Sequence, residues 1–181
     1  MPPPSGGIMI VIDDLLKDIQ SEYIHQKLVD EVPWFWGDTK TNQTDNLYNY
    51  QFTHSFYSFE HGGYSNYYQL VEPVVSGIGR THRISGLSRI KGNLQPVTQE
   101  RLVSDYHNDY TTEGVPDKNM LVGIYYVNSN DGYTEFEDGT IVKSVANRLV
   151  LFSNTMKHRG VSQLDTKYRV VLNFNFHAMP L

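Results

Sequence analysis

The segment from Lys167 to His177 alternates almost without a break. Read as a strand, it places Tyr168, Val170, Leu172, Phe174 and Phe176 on one face and Arg169, Val171, Asn173 and Asn175 on the other. The apolar face is continuous enough to lie beneath a layer of helices. The other face would then point into a barrel, and a cation there costs several kcal/mol unless it is paired. An incoming carboxylate, gripped by the guanidinium fork, supplies such a pair. An edge strand with one wet face fits the same alternation, so this strand alone leaves both arrangements open.

The rest of the chain narrows the choice. From His82 onward, short segments rich in β-branched and aromatic residues are separated by turn chemistry: Ser85 to Asn93, Glu100 to Asp109, Leu121 to Asn128, Tyr133 to Glu137, Thr140 to Lys143 and Arg148 to Ser153. Asp131-Gly132 and Asp138-Gly139 read as hairpin turns. Evenly spaced short strands point to a sandwich or barrel. The N-terminal part differs. Ile8 to Ile12 reads as a strand, and Asp13 or Asp14 as the cap of a helix running to about Glu31. Leu15, Ile19, Tyr23 and Leu28, with Leu16 and Ile24 beside them, give that helix its apolar spacing. Pro33 ends it, and Trp34-Phe35-Trp36 reads as an aromatic plug between helix and sheet. Gly37 to Asn49 is polar and turn-rich; Phe52, His54 and Phe56 alternate as a strand closed by Gly62-Gly63. Ser65 is placed to cap a second helix carrying Tyr67, Leu70, Val71, Val74 and Ile78, with Pro73 as an irregularity. The expected fold is mainly β: a double-stranded β-helix (jelly roll) with N-terminal helices packed on one sheet. One domain over 1–181 is expected, with a flexible leader at 1–7, helical support at 8–80 and a jelly-roll core at 82–177.

Composition excludes some functions. A net charge of −5 argues against a nucleic-acid partner held mainly through phosphates. No apolar run approaches transmembrane length, so no membrane partner is expected. The first residues lack the charged and apolar regions of a signal peptide, which makes the cytoplasm the default location. There is no cysteine, so a metal would be held by His, Asp or Glu, as suits Fe(II), Mn(II) or Zn(II).

Such a donor set is present. His107-Asn108-Asp109 ends a segment that can run as a strand, and positions two apart on a strand share a face. His158 follows the strand Arg148 to Ser153 and a short turn, ahead of the terminal strand that carries Arg169. A His-x-Asp tripeptide is weak by itself, and a lone loop histidine is usually solvated. In this order, though, two imidazoles, one carboxylate and a trailing arginine are the parts that hold one iron(II) ion and one dicarboxylic acid. His25, His61 and His177 read as ordinary surface positions, and His54 and His82 as buried, hydrogen-bonded ones. Asp105 falls on the ligand face, at its rim.

His107-Asn108-Asp109, Ile124-Tyr125-Tyr126-Val127-Asn128, Gly132-Tyr133-Thr134-Glu135-Phe136, Arg148 to Phe152, His158 and Arg169 together resemble the 2-oxoglutarate- and iron(II)-dependent dioxygenase superfamily, and within it the prolyl-4-hydroxylase-like branch. Arg89 to Asn93 and Pro33 to Trp36 are similar to segments of small hydroxylase-like proteins of tailed phages, which implies a host cytoplasm. The resemblance implies His107, Asp109 and His158 as iron ligands and Arg169 on the distal carboxylate of the cosubstrate 2-oxoglutarate. It adds Tyr126 and Asn173 as further contacts to that carboxylate. It implies hydroxylation of a C–H bond, with a protein or peptide side chain as acceptor, dioxygen consumed, succinate and carbon dioxide released, and ascorbate as reductant. The loops Gly37 to Asn49 and Tyr110 to Asn119 would form the substrate rim. One departure touches the substrate side: Asp131-Gly132-Tyr133 stands where prolyl hydroxylases carry paired glycines. The alternatives are a small-molecule or nucleobase oxygenase, a non-catalytic jelly-roll module, and a cupin-like metal enzyme independent of 2-oxoglutarate.

Overall fold

The computed structural model describes residues 9–38 and 47–180. The expected leader and residues 39–46 of the Gly37 to Asn49 loop lie outside them. The chain opens with β1 (Met9–Ile12), α1 (Asp18–Asp30), β2 (Phe35–Gly37), β3 (Gln51–Ser58), β4 (Gly63–Tyr64) and α2 (Tyr68–Gly79). It continues through β5 (His82–Pro96), β6 (Thr111–Thr112), β7 (Val115–Pro116) and β8 (Met120–Tyr126). It ends with β9 (Tyr133–Phe136), β10 (Ile141–Lys143), β11 (Arg148–Ser153), β12 (His158–Val161) and β13 (Tyr168–Pro180). The large antiparallel sheet runs β1-β11-β8-β13-β5-β3-β2, with β4 on β3; a small sheet runs β10-β9-β12. This is the jelly roll expected from the sequence.

The two faces of β13 separate as the alternation predicts. Val170, Leu172, Phe174 and Phe176 pack into one core with Ile24 and Leu28 of α1 and Val71, Val74 and Ile78 of α2. A second, smaller core lies between the sheets: Val122, Ile124 and Tyr126 of β8 and Val150 and Phe152 of β11 meet Phe136 and Val142 of the small sheet. The two cores hold the inner face of the large sheet in register with the small one.

Several local expectations differ from the structure. α1 starts at Asp18 with no side-chain cap. Leu15 and Leu16 are buried ahead of the helix, because the Leu16 N–H and C=O are both held by the Asn147 amide at 3.0 and 2.8 Å. Asp13 pairs with Arg148 instead of capping. Ile19 and Tyr23 face solvent, and the buried stripe is Ser21, Ile24 and Leu28. Ser65 lies outside α2: its Oγ accepts from the Tyr67 N–H, and no side chain caps the helix. Of the aromatic plug only Trp34 packs on the core, with Nε1 donating to the Leu28 carbonyl; Phe35 and Trp36 are exposed on β2. Asp138-Gly139 is a hairpin turn, with Gly139 at φ 87°. Asp131-Gly132 is not, because β8 and β9 belong to different sheets and the chain crosses between them there.

Candidate metal centre

Glu100 to Asp109 is expected as a strand, and it is an extended segment touching β12 at two single bridges, Val103 with Val161 and His107 with His158. Backbone bonds fix it only at intervals: the Ser162 N–H to the Leu102 carbonyl, the Ser104 N–H to the Gly160 carbonyl, and His107 and His158 to each other in both directions at 3.0 and 3.1 Å. The reciprocal pair sets the two histidines side by side, with ring centroids 4.7 Å apart. Asp109, two residues on, turns its side chain to the same point.

Nε2 of His107 lies 3.5 Å, and Nε2 of His158 3.3 Å, from Asp109 Oδ1. All three donor atoms fall within 4.8 Å of one another. Ligands on one face of a first-row metal are separated by about 3 Å, so the arrangement fits an ion with little movement. The outer contacts fit as well. His107 Nδ1 lies 2.9 Å from the Asp105 carbonyl and His158 Nδ1 3.4 Å from the Met156 carbonyl. Carbonyls only accept, so these contacts put the ring protons on Nδ1 and leave both Nε2 lone pairs facing the site. The second oxygen of Asp109 accepts from Asn175 Nδ2 at 3.1 Å and faces Arg89 at 3.6 Å. His158 is buried against Phe152 and Phe136, whereas the His107 side chain is about half exposed. Burial would raise the Asp109 carboxyl, but hydrogen bonds from the two imidazoles when they are protonated at Nε2, and the charge of Arg89, reverse this and hold it well below the usual carboxylate range. Asp109 in turn raises His107, against the opposing effect of burial.

These residues sit at one side of a cavity of about 250 Å³. It is floored by inward residues of β5 and β13, which pair Arg169 with Gln95, Asn173 with Lys91 and Asn175 with Arg89. Arg169 lines it and is buried, so the barrel arrangement holds and the wet-edge arrangement does not. Arg169 makes no ion pair among the described residues. Its Nε donates to Ser144 Oγ at 2.9 Å, and its guanidinium carbon lies 5.7 Å from the centre of the Tyr126 ring. Desolvation lowers its pKa. Tyr126 is fully buried beside it, with its hydroxyl on Thr134 Oγ1 at 2.8 Å; Thr134 in turn lines the cavity. Asn173 lines the cavity too, 3.5 Å from the Asn93 amide.

Gly132 explains how the arginine is seated. A Cβ at that position would lie 2.9 Å from both Arg169 Cδ and the Val161 carbonyl oxygen. The Gly132 carbonyl accepts from the Ser144 N–H at 3.1 Å, so the same turn positions the hydroxyl that holds the guanidinium. Asp131 anchors the turn through Arg101 and the Leu164 N–H. Ser144 was not singled out from the sequence, and Gly132, Asn175, Arg89 and Lys91 were given no role in the site. The alternation of the last strand already put Asn175 on the inward face; the roles of the others depend on pairings between distant segments.

The remaining histidines lie elsewhere. His54 bridges the Pro33 carbonyl and Ser65 Oγ, and His82 contacts Thr81 Oγ1. His25 meets the Tyr168 hydroxyl and His177 the Asp117 carboxylate. The segment after Asp109, expected as part of the substrate rim, forms the β6–β7 hairpin, and Tyr110 donates to Glu60. No helix among the described residues is long and apolar enough to cross a membrane.

No family model matches the chain, and no curated protein does. Solved structures do match. A 2OG-Fe(II) oxygenase family oxidoreductase from Burkholderia pseudomallei superposes with a TM-score of 0.65 at 10% identity, over 95% of this chain and 85% of that one. The viral collagen prolyl hydroxylase of Paramecium bursaria Chlorella virus-1, solved with 2OG, gives 0.60 at 13%, over 94% and 96%. The non-heme alpha-ketoglutarate-dependent epimerase SnoN from nogalamycin biosynthesis gives 0.63 at 9%, over 93% and 76%. The fold is that of the 2-oxoglutarate- and iron(II)-dependent oxygenases.

Proposed function

We propose that this protein is a 2-oxoglutarate- and Fe(II)-dependent dioxygenase that hydroxylates a C–H bond, with a protein or peptide side chain as acceptor. One observation carries the reading: two imidazole Nε2 atoms and one carboxylate oxygen converge on a cavity whose lining also presents a buried arginine without an acidic partner among the described residues. A non-catalytic module would have to maintain that uncompensated cation against its desolvation cost for no return. A cupin-like enzyme independent of 2-oxoglutarate would leave Arg169 unexplained.

His107, Asp109 and His158 would hold the metal through Nε2, Oδ1 and Nε2, leaving the positions toward the cavity open. When bound, Fe(II) with dioxygen and 2-oxoglutarate supplies the oxidising chemistry: one oxygen atom goes to succinate, carbon dioxide is lost, and the other becomes the product hydroxyl. The chain's own contribution is placement. The Asp105 and Met156 carbonyls fix the imidazole tautomers, and Asn175 and Arg89 orient Asp109. Arg169, held on Ser144 and flanked by Tyr126, would form the charge-assisted bonds to the distal carboxylate of the cosubstrate. Asn173 would line its path. Ascorbate would keep the metal reduced. The cytoplasm is the proposed location.

Similarity to both a collagen prolyl hydroxylase and an epimerase from nogalamycin biosynthesis keeps a small-molecule acceptor as the second reading. The test is direct. Protein reconstituted with Fe(II) is expected to convert 2-oxoglutarate to succinate in a metal-dependent way, and His107→Ala is expected to abolish this. Failure of metal-loaded protein to bind 2-oxoglutarate overturns the proposal.

A further inference from the structure

The cavity contains more positive charge than one diacid needs. Besides Arg169 it is lined by Arg89 and Lys91, while Asp109 is its only carboxylate among the described residues, in a chain whose net charge is −5. Both added cations come from the inner face of β5, two residues and about 6–7 Å apart. They lie at the metal side. Arg89 is 3.6 Å from Asp109 Oδ2, and its Nε donates to Asn175. The pairing register puts them away from Arg169. Lys91 lies opposite Asn173 and Arg89 opposite Asn175, four and six residues along β13. At the backbone that is about 13 and about 20 Å.

Lys91 is the less satisfied of the two. It is half-buried between Asn173 on β13 and Ser55 on β3, and its ammonium has neither ion pair nor hydrogen bond among the described residues. Burial lowers its pKa and Arg89 adds to that, against the opposing charge of Asp109. Arg89 has five donor N–H groups and gives one to Asn175. The pair thus offers an ammonium and a partly free guanidinium to one space beside the metal ligands. Two adjacent cations with a single carboxylate nearby among the described residues repel each other, and an added anion relieves this.

We propose that the acceptor substrate carries a carboxylate close to the carbon that is oxidised, and that Lys91 and Arg89 hold this carboxylate at the metal side of the cavity. The proposal rests on the 2-oxoglutarate oxygenase reading and deepens it from an unspecified C–H bond to one in an acid. Two sources share this chemistry: a free small acid, and an aspartyl or glutamyl side chain in a peptide. The cosubstrate's distal carboxylate remains with Arg169.

The test uses protein loaded with Mn(II) and saturated with 2-oxoglutarate, where Mn(II) shortens the proton relaxation of any ligand bound near it. The probes are matched acids and amides. N-acetylaspartate methylamide against N-acetylasparagine methylamide represents the peptide source, and free aspartate and proline against their amides represent the small-acid source. In at least one arm the acid is expected to reach half-maximal effect at about a tenth of the amide's concentration, the scale of a charge-assisted contact. The arm that responds identifies the source. Lys91→Met is expected to reduce that preference to under about twofold while Mn(II) and 2-oxoglutarate affinities stay at wild-type values. Equal response to acids and amides in both arms overturns the proposal alone. So does a loss of 2-oxoglutarate affinity in Lys91→Met, which would assign Lys91 to the cosubstrate. Failure of 2-oxoglutarate to bind the Mn(II)-loaded wild type would overturn the underlying function as well, and its separate titration shows which has failed.

Discussion

Gly132→Ala tests how Arg169 is held without touching a charged group. The new Cβ would lie 2.8 Å from Asn130 Oδ1 and 2.9 Å from both Arg169 Cδ and the Val161 carbonyl oxygen. Relaxed contacts of this kind are about half an ångström or more longer, so something must move. Val161 is fixed in the β9–β12 ladder, and Asn130 Oδ1 is held by the Gly132 N–H. The Arg169 stem is the softest of the three, and it moves away from Ser144. Overpacking of this kind costs about 1–3 kcal/mol. If the displaced guanidinium carries that cost into cosubstrate binding, 2-oxoglutarate affinity falls by about 5- to about 140-fold. The assay is calorimetric titration of 2-oxoglutarate into Mn(II)-loaded protein, with Mn(II) affinity and thermal unfolding measured alongside. Mn(II) affinity is expected to stay within about twofold, since the ligands lie on other segments. Gly86→Ala, whose Cβ would meet nothing within 4 Å, serves as the control and should leave all three unchanged. Wild-type 2-oxoglutarate affinity in Gly132→Ala would refute the seating of Arg169. A parallel fall of metal and cosubstrate affinity would show general loosening instead.

Arg169→Met removes a buried cation whose cost is borne for binding, so the ligand-free protein is expected to gain about 1–3 kcal/mol in denaturant unfolding while 2-oxoglutarate binding is lost; a destabilised variant would contradict this. His107→Ala and His158→Ala are both expected to lose the metal but to differ in stability. The half-exposed His107 can be removed at little cost, whereas truncating His158 against Phe152 and Phe136 should cost the metal-free fold about 1–3 kcal/mol; metal retained by either variant refutes the ligand assignment. Metal affinity is expected to depend on pH with a definite sign. Asp109 raises His107, so a proton competes for Nε2 above the ordinary imidazole range. Affinity should therefore fall as the pH drops through that raised value, with proton release on binding seen by calorimetry in two buffers; a flat profile from roughly pH 6 to 8 would refute it.

What the sequence discloses follows from the range of each interaction. The two faces of β13 are written in a period of two, and the burial of one under helices follows from it. The Asp138-Gly139 turn is local and readable. Leu15 and Leu16 mislead because burial and helical spacing coincide there, while their partner Asn147 lies 131 residues away. The segment before His107 misleads differently. Its residues alternate, but its bonds to β12 come only at intervals, and no side-chain pattern records a missing bond. Arg89 and Lys91 look like the wet side of a strand until β13 is laid against β5 and turns that face inward.

That asymmetry also accounts for a fold kept at about one identity in ten. An apolar core accepts many residues of similar size if pattern and volume are preserved. A metal centre accepts only certain atoms at certain places, and in the proposed function those number three, with a fourth residue for the diacid. Few positions are therefore bound by chemistry, which is too few for a sequence match and enough to hold a cavity of one shape. Selection on the acceptor acts on the remaining inward positions of β5 and β13. Those positions, Arg89 and Lys91 above all, are where this chain should differ from oxygenases with other acceptors, and exchanging them should alter acid preference while leaving the metal ligands and Arg169 in place.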